Sequence, residues 1–294
     1  MRRTRGGPRR VPWVLVLPGL FFLVALHLIP NIAGGYYAFT SWNGLTAHAQ
    51  WVGLDNFREI LHSGPARNAL IHTLTLAGCF VVGVNAIGLL LAVGLNRTVK
   101  SRNVLRAIFF APVVMSPLAL AYIWQYIFDY YGPLNRFLGA IGLKSWERPW
   151  LGDPSWALWC VLILLVWQFT GLTMVIYLAG LQGIPTEIDE AAAVDGASVW
   201  VRFRRVTLPL LAPAITVNAT LTLIIGLRVF DQVIALTNGG PYHATETLAT
   251  QIYVQTFSVG RFGYGAAFSL VLAALITVLA ISQTLILRAR ETRI

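Results

Sequence analysis

The fold of this chain is decided by segments such as residues 154–186, which read PSWALWCVLILLVWQFTGLTMVIYLAGLQGIPT and contain no charged side chain. This segment exceeds the about 20 apolar residues that a helix needs to cross the hydrocarbon core of a bilayer. Only 12% of the 294 residues are charged, about half the share of roughly 25% that is usual in soluble domains. With 56% hydrophobic residues and a mean hydropathy of +0.66, the chain has too little polar surface to cover a soluble core. The composition therefore indicates an integral membrane protein, and it excludes a disordered chain, a disulfide scaffold and a nucleic-acid binder.

Five further stretches lack charged residues over a comparable length: 11–54, 68–96, 107–128, 206–227 and 262–287. Backbone polar groups in lipid must be satisfied within the segment, so each stretch is predicted to be helical. The sequence thus predicts an all-α integral membrane protein with six transmembrane helices. Their predicted spans are roughly 12–36, 69–95, 106–128, 155–181, 209–234 and 264–287.

The basic residues predict the orientation of these helices. Of the 22 Lys and Arg residues, 15 fall at the N-terminus, in the second and fourth connections and in the C-terminal tail. Six fall in the other connections, and Arg228 lies within a predicted span. Because the Lys- and Arg-rich side of a membrane protein is cytoplasmic, both termini are predicted to be cytoplasmic. Residues 1–11 are then a basic cytoplasmic segment, and residues 289–294 are a cytoplasmic tail.

The chain lacks the sequence features of an energy-converting or catalytic protein. A phosphate-binding loop requires glycine directly before its lysine, but Lys100 and Lys144 follow Val99 and Leu143. The histidines have no zinc-type spacing. We therefore expect no catalytic residue, no metal site and no cofactor on this chain, and ATP hydrolysis on a separate subunit.

The predicted cytoplasmic loop 183–209 reads GIPTEIDEAAAVDGASVWVRFRRVTLP and carries most of the functional information. It predicts a short helix, a turn at Asp195-Gly196 and a second, amphipathic helix. One alternative is that the loop is an interfacial helix that only connects two spans. Four acidic residues make it a poor match for anionic lipid and favour a protein partner: Glu187, Asp189, Glu190 and Asp195.

Residues 190–213, EAAAVDGASVWVRFRRVTLPLLAP, closely resemble the EAA motif of the permease subunits of binding-protein-dependent ABC importers. The segments 51–57 (WVGLDNF), 106–135 and 229–253 (VFDQVIALTNGGPYHATETLATQIY) are similar to the sugar-importing, maltose-type permeases. The resemblance covers about residues 13–288. It implies a type I ABC importer permease fold in the bacterial cytoplasmic (inner) membrane. A first helix and outer loop (12–67) would precede a core permease domain (68–288) that contains the coupling loop 183–209.

The resemblance also implies a mechanism. The EAA loop would dock as a coupling helix in a groove of a cytoplasmic ATPase, which uses ATP and Mg to move the bundle from inward-facing to outward-facing. The implied partners are a second permease subunit, two copies of the ATPase, an extracytoplasmic sugar-binding protein and membrane lipid. A polyol or glycerol phosphate is an alternative solute. The coupling residues would be Glu187, Glu190, Ala191, Ala192, Asp195, Gly196 and Pro209.

The solute path is predicted from polar and aromatic residues inside the spans. Trp167 and Gln168 lie near the middle of the fourth span, although helix packing explains them equally well. Arg228 and Asp231 are three residues apart on the fifth span and should share one helix face. They would line the path or pair with each other. Asn85 and Asn218 are interpreted as hydrogen-bonding partners between helices.

Two rival functions remain at this stage. An integral-membrane enzyme acting on lipid-linked substrates would use carboxylates such as Asp129, Glu147 and Asp153. An ion-coupled transporter working alone should contain intramembrane carboxylates and often an internal repeat, and only Asp231 comes close to meeting this expectation.

Overall fold

The computed structural model describes residues 16–46, 48–96 and 101–291, of which residues 290 and 291 are described by their backbone alone. The predicted basic segment 1–11, Arg97, Lys100 and residues 292–294 of the tail lie outside this part. Within it, the regular structure is helical apart from one antiparallel bridge between Thr40 and Trp51. The helices are α1 (Leu17–Tyr37), α2 (Asp55–His62), α3 (Gly64–Leu95), α4 (Arg102–Val114), α5 (Pro117–Phe128), α6 (Pro133–Ala140), α7 (Ala157–Gln182), α8 (Thr186–Val194), α9 (Val199–Leu210), α10 (Ala212–Leu227), α11 (Asp231–Thr237), α12 (Leu248–Tyr253) and α13 (Phe262–Glu291).

Four of the predicted spans are single long helices. In the described residues, α1, α3, α7 and α13 are each long and apolar enough to cross a membrane. The number of candidate spans reaches six when two strongly bent helix pairs are each taken as one span. The prediction of an all-α membrane protein is confirmed, and the predicted six spans equal the upper count.

The third predicted span, 106–128, is broken rather than continuous. The segments Arg102–Val114 and Pro117–Ala140 meet at an angle of 101°. The cause is local, because the residue before a proline is disfavoured in the helical conformation. Ser116 precedes Pro117 and is extended, with φ −58° and ψ 131°.

The fifth predicted span, 209–234, is also wrong as a single helix. Val199–Leu210 and Ala212–Leu227 are bent by 67° relative to each other. The second of these segments, α10, ends at Leu227, and α11 begins only at Asp231. Between the two helices, the backbone carbonyl of Val229 accepts a hydrogen bond from the Thr247 hydroxyl at 3.1 Å. This bond replaces a helical partner for a carbonyl that the break leaves free.

The core of the bundle is built around α7, which packs against α3, α4 and α10. Small residues allow close approach at these contacts. A Cβ added at Gly171 would collide with the backbone of Phe109 in α4, and one added at Gly88 would lie 2.7 Å from Thr173 in α7. By contrast, α1 lies at the periphery and has no buried residue in its apolar window.

Candidate functional site

The predicted coupling loop forms a helical hairpin, α8 and α9, which we call the EAA hairpin (Thr186–Leu210). Asp195 ends α8, and Gly196 follows with φ +79°. The backbone N–H groups of Gly196 and Ala197 donate to the carbonyls of Ala193 and Ala192, both at 3.0 Å. This is the pattern of a glycine-terminated helix. The predicted turn at Asp195-Gly196 is confirmed, since a left-handed residue is strained for any side chain but favourable for glycine.

The EAA hairpin presents acidic and apolar side chains together on its surface. Not one residue of α8 is buried. The predicted coupling residues Glu187, Glu190, Ala191, Asp195 and Gly196 are exposed, while Ala192 and Pro209 are half-buried.

Large apolar side chains are exposed beside these acids. Val194 is 88% exposed and Trp200 is 66% exposed. Trp200 stacks on Phe203 with their ring centroids 5.9 Å apart. Exposed apolar surface rimmed by polar groups is typical of a protein-binding surface.

The two arms of the hairpin are joined by an ion pair that the sequence did not single out. Arg202 Nη1 of α9 donates to Asp189 Oδ2 of α8 at 3.0 Å and to the Asp189 carbonyl at 3.3 Å. Thirteen residues separate the two side chains, so the pair depends on how the Gly196 turn folds the arms together.

The structure does not bring Trp167 and Gln168 together in one site. Trp167 is partly exposed and meets Trp124 edge-on, with ring centroids 5.6 Å apart. Both rings line an apolar cavity of about 620 Å³ between α3, α4, α5 and α7. Gln168 is buried on another face of α7, where its Oε1 accepts a hydrogen bond from Gln232 Nε2 at 2.9 Å. Gln168 therefore ties α7 to α11.

Arg228 and Asp231 do not share a helix face, contrary to the prediction. Arg228 is the C-terminal cap of α10, and Asp231 is the first residue of α11. Both side chains are exposed, and they do not form an ion pair with each other. The break between α10 and α11 is the reason, because the spacing of three residues gives one face only along a continuous helix.

Asp231 instead lies where the two broken spans meet. It lines a cavity of about 340 Å³ together with residues on both sides of this meeting point. From the break before α5 come Ser116, Pro117 and Leu118, and from the α10–α11 break and α11 come Phe230, Ile234 and Ala235. Irregular backbone at membrane depth is tolerated only where it is buried in protein or lines a water-filled cavity.

Asn85 and Asn218 bond neighbouring helices, as predicted. Asn85 accepts from the Tyr177 hydroxyl at 2.7 Å and donates to Thr222 Oγ1 at 3.0 Å. Asn218 donates to the carbonyl of Thr173 at 3.2 Å. These bonds connect α3, α7 and α10 in the interior of the bundle.

The turn that follows the C-terminal end of α11 is held by several hydrogen bonds. Thr245 Oγ1 donates to the carbonyl of Gly240 at 2.9 Å. The buried carboxylate of Glu246 accepts from Gln251 at 2.6 Å and lies 2.7 Å from His243 Nδ1. Tyr242, held by this turn, is 90% exposed.

Two of the three carboxylates considered for a membrane enzyme, Asp129 and Asp153, bond to their own loops. Asp129 Oδ1 accepts the N–H of Tyr131, and Asp153 Oδ1 accepts the N–H of Ser155, each at 2.9 Å. Such bonds to the residue two positions ahead are typical of turn capping. The Asp129 and Asp153 side chains therefore stabilise the loops in which they lie.

Comparisons with known proteins identify a family and two similar permeases. The sequence profile of the family described as "Binding-protein-dependent transport system inner membrane component" matches residues 84–292. The chain is 35% identical to the probable starch degradation products transport system permease protein AmyD of Thermoanaerobacterium thermosulfurigenes, over 95% of this chain and 94% of the relative. It is also 35% identical to the multiple sugar-binding transport system permease protein MsmF of Streptococcus mutans, over 92% and 93% of the two chains.

A solved structure shares this fold. It is a chain of a bacterial ABC transporter involved in the import of the acidic polysaccharide alginate. The match has a TM-score of 0.82 and 25% sequence identity, and it covers 94% of each chain.

Proposed function

Since the chain belongs to the family of inner membrane components of binding-protein-dependent transport systems, we propose that it is the permease subunit of an ATP-driven importer of a sugar or sugar-like solute. Members of this family are transport subunits rather than enzymes. The several candidate membrane spans make this chain a multi-pass membrane protein. The names of AmyD and MsmF support a carbohydrate as the solute. The membrane would be the bacterial cytoplasmic membrane, with both termini in the cytoplasm.

The observation that carries the proposal is the exposed EAA hairpin. A helix of nine residues without one buried side chain receives little stabilisation from packing against its own chain. Its exposed acids and apolar side chains would be covered by a groove of a cytoplasmic ATPase. Glu190 would pair with basic or amide groups there, and the small side chains of Ala191 and Ala192 would allow close approach.

The hairpin would couple ATP binding by the ATPase to movement of the transmembrane helices. ATP and Mg bound between two ATPase subunits would draw together the hairpins of this permease and of a second permease subunit. Because α9 continues through a bend into α10, a displaced hairpin would move the fifth span. An extracytoplasmic binding protein would deliver the solute at the end of the bundle that carries Tyr242.

This coupling role is tested with the complete transporter reconstituted in vesicles. In the variants Glu190→Lys and Gly196→Pro, we expect ATPase stimulation by binding protein plus sugar, and ATP-driven uptake, to fall by roughly 5- to 150-fold, the usual range of a coupling free energy. Proline cannot adopt the φ of +79° at position 196. Asp55→Lys, an exposed acid in α2, is the matched charge control and should behave like the wild type. Full stimulation and uptake in Glu190→Lys and Gly196→Pro would show that the hairpin does not couple.

We place the solute path beside the two helix breaks. Of the four residues predicted to line it, Asp231 has the strongest support, because it lines the cavity between the breaks. Its carboxylate can accept hydrogen bonds from sugar hydroxyls. Arg228 is exposed at the same break and would suit a phosphate, which keeps glycerol phosphate as an alternative solute. Trp167 could offer its ring to a sugar, whereas Gln168 is engaged with Gln232.

A path residue and a coupling residue differ in a measurable way. The binding protein stimulates the ATPase through docking, so Asp231→Ala should keep stimulated ATP hydrolysis. The sugar imported per ATP should fall by about 10- to 150-fold, for a lost charged hydrogen bond of roughly 1.5–3 kcal/mol. Asp55→Ala should leave both quantities unchanged. An unchanged ratio of sugar to ATP in Asp231→Ala would remove this residue from the path.

A further inference from the structure

The first arm of the EAA hairpin, α8, makes few packing contacts with the rest of the chain. None of the residues of α8 is buried, and the helix has only nine residues. A helix this short is marginal in water unless tertiary packing supports it. Its direction therefore depends on the few contacts that it makes.

The space under the hairpin is open rather than close-packed. A cavity of about 320 Å³ separates the hairpin from the ends of α3 and α7. Asp189 and Arg202 lie on its rim and face each other across the hairpin. The ends of α3 and α7 and both arms of the hairpin supply the rest of its lining.

The contact between Asp189 and Arg202 joins the two arms of the hairpin directly at the edge of this cavity. A single nitrogen, Arg202 Nη1, reaches both a carboxylate oxygen and the backbone carbonyl of Asp189. The Arg202 side chain is only 21% exposed. Its guanidinium is a planar and rigid group, so it fixes direction as well as distance.

The position of Asp189 in α8 makes this contact relevant to docking. Asp189 directly precedes Glu190, and successive side chains on a helix point about 100° apart, since a turn has 3.6 residues. Holding Asp189 toward α9 therefore turns Glu190 toward solvent, where the structure has it exposed.

We propose that Asp189 and Arg202 form a positioning brace that fixes the orientation of α8 on α9, so that movement of the docked helix is transmitted to the fifth span. The inference rests on the proposed coupling role of the EAA hairpin. Both are positioning residues, which act by orienting Glu190 and its neighbours rather than by binding solute or ATP. The Asp189 side chain is 50% exposed, so the pair contributes little to stability. Its removal should leave the transporter assembled.

The brace predicts a loss of coupling that a reversed ion pair repairs. In the reconstituted full transporter, Arg202→Ala should lower the ratio of stimulated to basal ATP hydrolysis about fivefold or more. The double variant Asp189→Arg/Arg202→Asp should recover at least half of the wild-type ratio. Arg204→Ala, an exposed arginine two positions away, is the matched control and should retain it.

A spin label reports the orientation of α8 directly. With Val194→Cys labelled at the end of α8, Arg202→Ala should broaden the range of label positions, and the double variant should narrow it again. Native Cys79 and Cys160 would be replaced by serine in every sample.

Several results would overturn the brace. They are a wild-type ATPase ratio in Arg202→Ala, an assembled double variant that is no better than the single one, and failure of both variants to assemble, which would make the pair a folding element. Each of these presumes a coupled wild-type transporter. Absence of ATP-driven uptake by the wild type would instead refute the proposed function.

Discussion

Replacing Gly171 with alanine should force α7 away from α4. A Cβ at this position would lie closest to the carbonyl oxygen of Phe109, 2.6 Å from its carbonyl carbon and 2.7 Å from Cα of Phe110. Ordinary contact begins at 3.4 Å, so the carbonyl carbon alone would have to withdraw by 0.8 Å (3.4 minus 2.6). These neighbours are backbone atoms of another helix and cannot swing aside as a flexible side chain could.

Because these backbone atoms cannot move aside, Gly171→Ala should lower the free energy of unfolding. Overpacking a well-packed contact costs about 1–3 kcal/mol, and occasionally more. Alanine returns up to about 1 kcal/mol of helix propensity relative to glycine. Gly226→Ala is the intermediate case, since its Cβ would meet Cα of Ala77 and Cδ1 of Phe80 at 3.0 Å. Gly78→Ala is the matched control, because nothing lies within 4 Å of its added Cβ.

Thermal unfolding of the purified complex in detergent, followed by tryptophan fluorescence, measures this ranking. We expect the melting temperature to fall most in Gly171→Ala, less in Gly226→Ala and not at all in Gly78→Ala, at about 2–4 °C per kcal/mol for a domain of 150–250 residues. Equal melting temperatures for Gly171→Ala and Gly78→Ala would refute the reasoning that backbone approach sets the cost.

Two further predictions concern single hydrogen-bonded pairs. The hydrogen bond from Arg261 lowers the pKa of Glu59 below its usual 4.5. The stability from this pair should thus be fully present above pH 4.5 and be lost as the pH falls through the lowered pKa. In melting curves from pH 8 downward, Glu59→Gln should differ from the wild type by at most about 1 kcal/mol, since the pair is half-exposed. The difference should shrink below pH 4.5 and vanish below the lowered pKa, and a difference that grows in acid would contradict the assignment. Tyr177→Phe should destabilise the bundle by about 1–3 kcal/mol, because it leaves Asn85 Oδ1 without its donor at 2.7 Å. Tyr126→Phe, at an exposed position, should melt like the wild type.

One of the two helix breaks that the sequence analysis did not predict has a signal in the sequence. The break at residues 115–116 has a local signal, since Ser116 precedes Pro117 and is therefore biased toward an extended backbone. The break after Leu227 has no such signal. Neither proline nor glycine occupies residues 228–230, and the charged residues Arg228 and Asp231 do not by themselves end a helix. There the backbone leaves the helix because Val229 is buried and its carbonyl bonds to Thr247, a partner 18 residues away.

In the candidate site, too, some features could be predicted from the sequence and others could not. The EAA hairpin could be predicted because its turn depends on one residue, Gly196, whose backbone conformation is a local property. The assignment of Arg228 and Asp231 to one helix face failed because it presumed a continuous helix. The Asp189–Arg202 pair and the Gln168–Gln232 bond could not be predicted, since each joins residues that only the folded chain brings together.

The sequence by itself determined that the chain lies in a membrane, which segments enter it and where the charged hairpin emerges. These properties depend on local composition, because the free energy of transferring a segment into lipid is a sum over its own residues. The tertiary structure alone decided where two spans break and which polar side chains face a cavity or a neighbouring helix. A transmembrane helix is apolar on every side, so its sequence pattern does not mark the face that packs inward. That choice is made by shape and by hydrogen bonds between helices, as at Gly171 against Phe109 and Asn85 against Tyr177.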